Sequence, residues 1–458
     1  MPFLPSWTSV SDDCYLKKKV HPCMSKSYLL LNILAFTCGF CIYFSMYAYR
    51  KGFSAGTYST KYGKLPFKVI LVLLQIFGYI LSKFLGIVVI SNLDKKKRAF
   101  LILALIAVSE IALVLFSFTP DPYSAIWLFF NGLPLGLIWG LVFSYLEGRR
   151  TSEILGIGMC ISFIFSSSVI KTIGRKLIEY GVDEKKMPFV VGAIFYPIIC
   201  LFTFFIELIP PPNEEDIRNR TERVQMDHAD RMKFFCTFWP GILLMIGYYM
   251  LVCGYRDFRD NFMVELFNEM GIEKPEYLAF TEFIVTFVII IIVGLMMLIK
   301  NNLIGFYIYH IIIILGCVIN FVGTIYYDKT RKHPIVFQVI IGIAIYIAYV
   351  PYSSILFDRM IASFKVKANS GFLIYIADSC GYVTAIIFMF VKEFGKTREW
   401  LPFFITSSKV ISIAGITLQS LSLFYYFLKA KTFPGIKEGV PDKVESIFTE
   451  GDLAQAEL

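Results

Sequence analysis

Three cations sit inside apolar runs of this 458-residue chain: Arg50, Lys83 and Arg256. Arg50 and its neighbour Lys51 follow Tyr47 and Tyr49. Lys83 ends the run Tyr79-Ile80-Leu81-Ser82-Lys83, and Arg256 follows Tyr255. An ionisable group in such a setting is costly unless a partner or a wet cavity meets it. A guanidinium presents a planar fork that matches carboxylate or phosphate oxygens. Cations with phenol hydroxyls beside them suit an anion, so Arg50, Arg256, Lys83, Tyr47, Tyr79 and Lys51 are candidate anion ligands. Asp378 falls about nine residues into its own apolar run, near the middle on the roughly 20-residue scale of a spanning helix. Two roles stay open for it: balancing one of the cations, or carrying a coupling proton.

Other buried charges have blander readings. Lys171, Glu282 and His310 lie near the ends of apolar runs, where a long side chain reaches the interface. Glu110 stands near the middle of the third run and reads as half of an internal pair or as a protonated acid. A structural ion network is the competing reading for Arg256, with Asp260 as its i+4 partner and Asp257 paired elsewhere. The motif Cys38-Gly39-Phe40-Cys41 has no second Cys pair and no His in its run, so it reads as helix packing.

The elements that must hold these groups follow from composition. The chain is 57% hydrophobic and 17% charged, with a mean hydropathy of +0.65, against about 25% charged residues in soluble domains. The apolar residues come in blocks near 28–58, 66–90, 99–118, 123–146, 154–178 and 188–210, then 238–266, 278–299, 303–326, 334–357, 369–392 and 400–428. Each block can cross a hydrocarbon core as a helix. The expected fold is an all-α membrane protein of about twelve transmembrane helices in two six-helix bundles. Gly78, Ser82 and Gly86, and Gly132, Gly136 and Gly140, recur every four residues and mark faces where helix backbones meet closely.

The domains expected are a cytosolic N-terminal segment 1–27, a first bundle 28–210, a cytosolic connector 211–237, a second bundle 238–428 and a cytosolic tail 429–458. Pro210, Pro211 and Pro212 end the first bundle. The first 27 residues are polar, unlike a cleavable signal. The net charge of +9 does not point to nucleic acid. Lys and Arg cluster in loops that share one side when both termini are cytosolic, as helix orientation favours. On that side Asp94 and adjacent bases, Arg98 among them, face the exit of the fourth span at Glu147, Arg149 and Arg150. Opposite charges in two short loops predict a gating clasp. Tyr49-Arg50 and Tyr255-Arg256 occupy matching places in the first and seventh spans, so the halves read as repeats with a site between them.

The chain resembles the major facilitator superfamily. Its first third is similar to the organophosphate:phosphate antiporters, the glycerol-3-phosphate and hexose-phosphate carriers. The likeness rests on Tyr47 through Phe53, which match a Tyr-x-x-Arg-Lys-x-Phe pattern. It also rests on Tyr79 through Phe84, with Ile80 in place of a Gly, followed by Gly86 and Asp94 to Arg98. The resemblance implies that Arg50 and Arg256 clamp a phosphate. Over its whole length the chain resembles an uncharacterised major-facilitator-like family, through its GLPLGLIWGLVF and EGRRTSE segments.

The function expected is secondary transport of a small organic anion by alternating access, in its specific form a phosphate ester exchanged for phosphate. One alternative is a proton-coupled symporter using Asp378 or Glu110, and another is a multi-pass membrane protein that transports nothing. An enzyme is not expected, because the 4 His, at 21, 228, 310 and 333, are scattered over unrelated segments. No phosphate-binding Gly-rich motif is present for ATP-driven transport. No cofactor or metal is expected, and the partners are the anionic solute and the lipid bilayer, with the chain a monomer.

Overall fold

A computed structural model describes residues 28–91, 97–146, 152–210, 228–366, 368, 370–395 and 399–433. The first half contains α1 (Tyr28–Lys51), α2 (Phe67–Ser91), α3 (Arg98–Phe118), α4 (Ile126–Leu146), α5 (Ser152–Glu179) and α6 (Met187–Glu207). The second contains α7 (His228–Asn261), short α8 (Met263–Glu269), α9 (Glu276–Met297), α10 (Asn302–Thr330), α11 (Pro334–Ser354), short α12 (Leu356–Phe364), α13 (Ser370–Phe394) and α14 (Trp400–Thr432). Ten of these helices are long and apolar enough, over their described residues, to cross a membrane. Large apolar side chains such as Phe100, Phe118, Leu298, Val322 and Phe424 point outward. In water such a surface would aggregate; in lipid it is solvated, so this is a multi-pass membrane protein.

Several boundaries differ from the sequence expectation. The first span stops at Lys51, continues as a single 3-10 turn to Ala55, and leads into a hairpin of β1 (Lys61–Tyr62) and β2 (Leu65–Pro66). The seventh span ends at Asn261, and α8 starts after a break at Phe262. Of the connector expected at 211–237, residues 211–227 lie outside the described residues, and 228–237 belong to α7.

Helices α1–α6 pack mainly on one another, as do α7–α14. The small-residue faces explain the closest of these contacts. A Cβ on Gly78 would stand 2.2 Å from the Phe129 carbonyl oxygen, and one on Gly132 would stand 2.3 Å from that of Gln75. Helices α2 and α4 therefore touch backbone to backbone, and the Gln75 side chain donates to Asn131 Oδ1 at 2.7 Å within the same seam. In the second half, Arg359 of α12 donates to the carbonyls of Ile299 and Met296 at 2.9 and 3.1 Å, satisfying orphan acceptors at the end of α9. The halves meet where α5 packs on α9 and α11, and where α2 packs on α13.

His310, Glu282 and Lys171 do not snorkel. His310 is fully buried between the Phe306 carbonyl and the Ser422 hydroxyl. Glu282 pairs with Arg259 at 2.5 Å. Lys171 is also fully buried and binds across the two halves. Each found a polar partner inside the protein, which relieves the desolvation cost that snorkelling would have avoided.

Candidate functional site

Two layers of polar side chains cross the interface between the halves. The first lies where α1 and α7 end. Asp260 of α7 receives Lys51 of α1 and Lys171 of α5, each at 2.7 Å, and the Ser167 hydroxyl as well. Lys51 also donates to Asn261 Oδ1 at 2.7 Å. Beside them Lys68, at the start of α2, donates to Glu265 of α8 at 2.6 Å and to the Ser54 carbonyl at 2.8 Å. Burial raises the Glu265 carboxyl above the usual carboxylate range, with Lys68 pulling the other way. Lys51, Lys68 and Lys171 are 5%, 1% and 0% exposed. Three buried lysines of one half thus grip two acids of the other and close this face of the protein.

The second layer lies deeper. Lys83 of α2 pairs with Asp378 of α13 at 3.0 Å. Asp378 also accepts the Tyr249 hydroxyl at 2.7 Å, and the Tyr375 hydroxyl donates to the Lys83 carbonyl at 2.7 Å. The Lys83 ammonium sits 4.8 Å from the centre of the Tyr382 ring, which lies 5.4 Å from the Tyr79 ring. Arg50 lies over the Tyr79 ring at 4.1 Å and near Tyr47 at 5.6 Å. It makes no hydrogen bond or ion pair with any described residue. Arg256 lies over Tyr349 at 3.9 Å and is neutralised by the adjacent Asp257, at 2.6 and 3.2 Å.

Helical spacing explains the convergence. Tyr43, Tyr47 and Arg50 share one face of α1; Tyr249, Cys253, Arg256 and Asp260 share one face of α7; Tyr375, Asp378 and Tyr382 share one face of α13. Of the expected anion ligands, the deeper layer brings together Arg50, Lys83, Tyr47, Tyr79 and Arg256, with Asp378 beside them on Lys83, whereas Lys51 is held in the closing layer. Asp260 binds lysines of the other half, so the i+4 pair with Arg256 does not form; Asp257 takes that place. Glu110 has no ion pair among the described residues, and its Oε2 is buried without a hydrogen bond beside Gly192.

Of the expected gating residues, Asp94, Glu147, Arg149 and Arg150 lie outside the described residues. Arg98 is described and donates to the Ser144 carbonyl near the end of α4 at 2.9 Å. Sequence reasoning missed Tyr249, Tyr349, Tyr375, Tyr382, Lys68 and Glu265. Tyr346, Tyr349 and Tyr352 recur every three residues along α11, a face-forming spacing that was legible. The pairing of Lys68 with Glu265 carried no such signal.

The architecture matches solved transporters of the major facilitator fold. One similar structure is a D-xylose–proton symporter, at 14% identity and a TM-score of 0.60, covering 86% of this chain and 97% of that one. Another is the nucleoside transporter NupG, at 14% identity and 0.56, covering 90% and 99%. A third is a bacterial homologue of the human lysosomal transporter Spinster, in an inward-facing, unoccupied conformation, at 13% identity and 0.55, covering 89% and 98%. At such identities the likeness establishes the fold. No curated protein matches the sequence. Residues 52–429 match a family described as a family of unknown function, DUF5690, and the chain belongs to that family.

Proposed function

We propose that this protein is a secondary carrier that moves a small organic anion by alternating access between its two halves. One observation carries the reading: Arg50 stands at the interface among tyrosines, without an acidic partner among the described residues. An unpaired intramembrane cation is costly, and a bound anion removes the cost. The lysine–acid layer above it closes one face, as an alternating-access carrier requires. The similar folds of a sugar symporter and a nucleoside transporter support small-solute transport as the general class. Both termini are cytosolic in this reading, so the closed face is the outer one.

The motif likeness suggests a specific form, a phosphate ester exchanged for phosphate. A second form is proton coupling, favoured by the Lys83–Asp378 pair, which joins the halves and has to loosen as they move. Uptake into proteoliposomes loaded with phosphate, glycerol-3-phosphate, sugar phosphates or carboxylates tests the reading. Saturable uptake of at least one anion, lost in Arg50→Gln at equal protein density, is expected. Absence of any anion flux in the wild type would refute anion transport. Flux that needs an imposed proton gradient rather than an internal anion would select the coupled form over exchange.

A further inference from the structure

A doubly charged phosphate ester makes a demand on the deeper layer: two free cations. The layer holds three cations, Arg50, Lys83 and Arg256, and two of them are already spoken for. Arg256 is held by Asp257 at 2.6 Å, and Lys83 by Asp378 at 3.0 Å. Asp378 is in turn held by the Tyr249 hydroxyl. Only Arg50 lacks an acceptor among the described residues. The closing layer also has a surplus cation, since Lys51 and Lys171 share Asp260. Its ammonium groups are satisfied, however: each has an Asp260 oxygen at 2.7 Å and a second acceptor, Asn261 Oδ1 for Lys51 and the Asp260 carbonyl for Lys171. We infer that the central site takes a singly charged organic anion, held by the Arg50 fork, and discriminates against dianions. This rests on the anion-carrier reading and narrows its substrate.

The physical ground is electrostatic. In a part-buried site, where the Lys83 and Asp378 side chains are each 22% exposed, charge left over after pairing is penalised, less than in a dry interior. A monoanion on Arg50 leaves the layer neutral. A dianion leaves one negative charge over, unless Asp378 gives up Lys83, which strands a carboxylate instead. The Lys83–Asp378 pair therefore acts as a charge selector, although neither residue need touch the substrate.

The test compares pairs of solutes that differ in charge and little else: succinate with succinamate, and glycerol-3-phosphate with its methyl phosphodiester. Uptake into proteoliposomes and equilibrium binding of the same labelled probes to purified protein in nanodiscs are both measured at one fixed pH where the dianions are fully charged. The wild type is expected to favour the singly charged member of at least one pair by about tenfold, the ratio that one unmet charge interaction of ~1.4 kcal/mol produces. Asp378→Asn frees Lys83 and should reverse that preference. The double variant Lys83→Gln with Asp378→Asn restores a single free cation and should restore the preference for the monoanion. Binding keeps the reversal readable if a variant folds but no longer cycles. Transport in which the wild type prefers the dianions, or a preference that does not move in Asp378→Asn, overturns the charge inference alone. A wild type that moves and binds none of the anions overturns the carrier reading, and this inference with it.

Discussion

Tyr49-Arg50-Lys51 and Tyr255-Arg256-Asp257 occupy corresponding places in the two halves, and their difference explains the site. In each, the tyrosine hydroxyl donates to a backbone carbonyl in the last long helix of its own half: Tyr49 to Gly192 of α6 at 2.8 Å, Tyr255 to Phe404 of α14 at 3.3 Å. In each, the arginine lies on a tyrosine face. The third residue breaks the likeness. Asp257 folds back on Arg256 and cancels it. Lys51 adds a charge and carries it across to Asp260 of the other half. One half thus offers a guanidinium with no acceptor among the described residues and a closing lysine; the other offers a neutralised arginine and the acid that lysine needs. The repeated frame sets the geometry, and one side chain after each arginine sets the charge.

The largest effect in this comparison is expected from Asp260→Asn. Removing one partner of a buried ion pair costs about 3–5 kcal/mol, because the cation left behind has no water. Unfolding in detergent should show that loss. A cysteine placed at Thr172, whose hydroxyl now meets the Pro275 carbonyl across the halves, should become reactive to a membrane-impermeant thiol reagent. A protected thiol and unchanged stability would mean that the closing layer is not held by Asp260.

Arg50→Gln comes next. Loss of the one free charge-assisted contact should lower flux about a hundredfold, equivalent to ~2.7 kcal/mol, with normal protein yield. Arg256→Gln should act differently, lowering yield by stranding Asp257, and adding Asp257→Asn should recover it. Equal flux losses with normal yield in Arg50→Gln and Arg256→Gln would show the two arginines to be equivalent clamps, as the motif likeness implies.

Gly78→Ala probes the seam behind α2. Its Cβ cannot stand 2.2 Å from the Phe129 carbonyl, so α2 and α4 must part, at a cost of about 1–3 kcal/mol. A lower Tm is expected, and an unchanged one would mean that the seam is looser than this contact requires. The smallest effect belongs to the two tyrosines. Tyr49→Phe and Tyr255→Phe each remove one hydrogen bond, worth about 1 kcal/mol. The shorter Tyr49 bond should show the larger Tm loss, and the reverse order would indicate that the halves do not share this frame.

Much of this protein was legible in its residues. Twelve apolar runs were expected to become spanning helices, since a backbone in lipid satisfies its polar groups only internally, and ten of the helices are long and apolar enough to span over their described residues. Gly78 and Gly132 had to mark close packing, because nothing larger fits between touching backbones. Arg50, Lys83, Arg256 and Asp378 stood out because charge inside hydrocarbon is too costly to be incidental. Partnership was not legible. Lys83 and Asp378 are 295 positions apart and Lys51 and Asp260 are 209 apart in the same numbering. A helix turns about 100° per residue, so whether a side chain points at a partner or at lipid depends on how each helix is rotated against its neighbours. That rotation is settled by the packing of all the helices together. The sequence by itself marked Arg50, Lys83, Arg256 and Asp378 as charges within apolar runs; only the tertiary structure decided which of them cancel, and that Arg50 is the one of these four without a charged partner among the described residues.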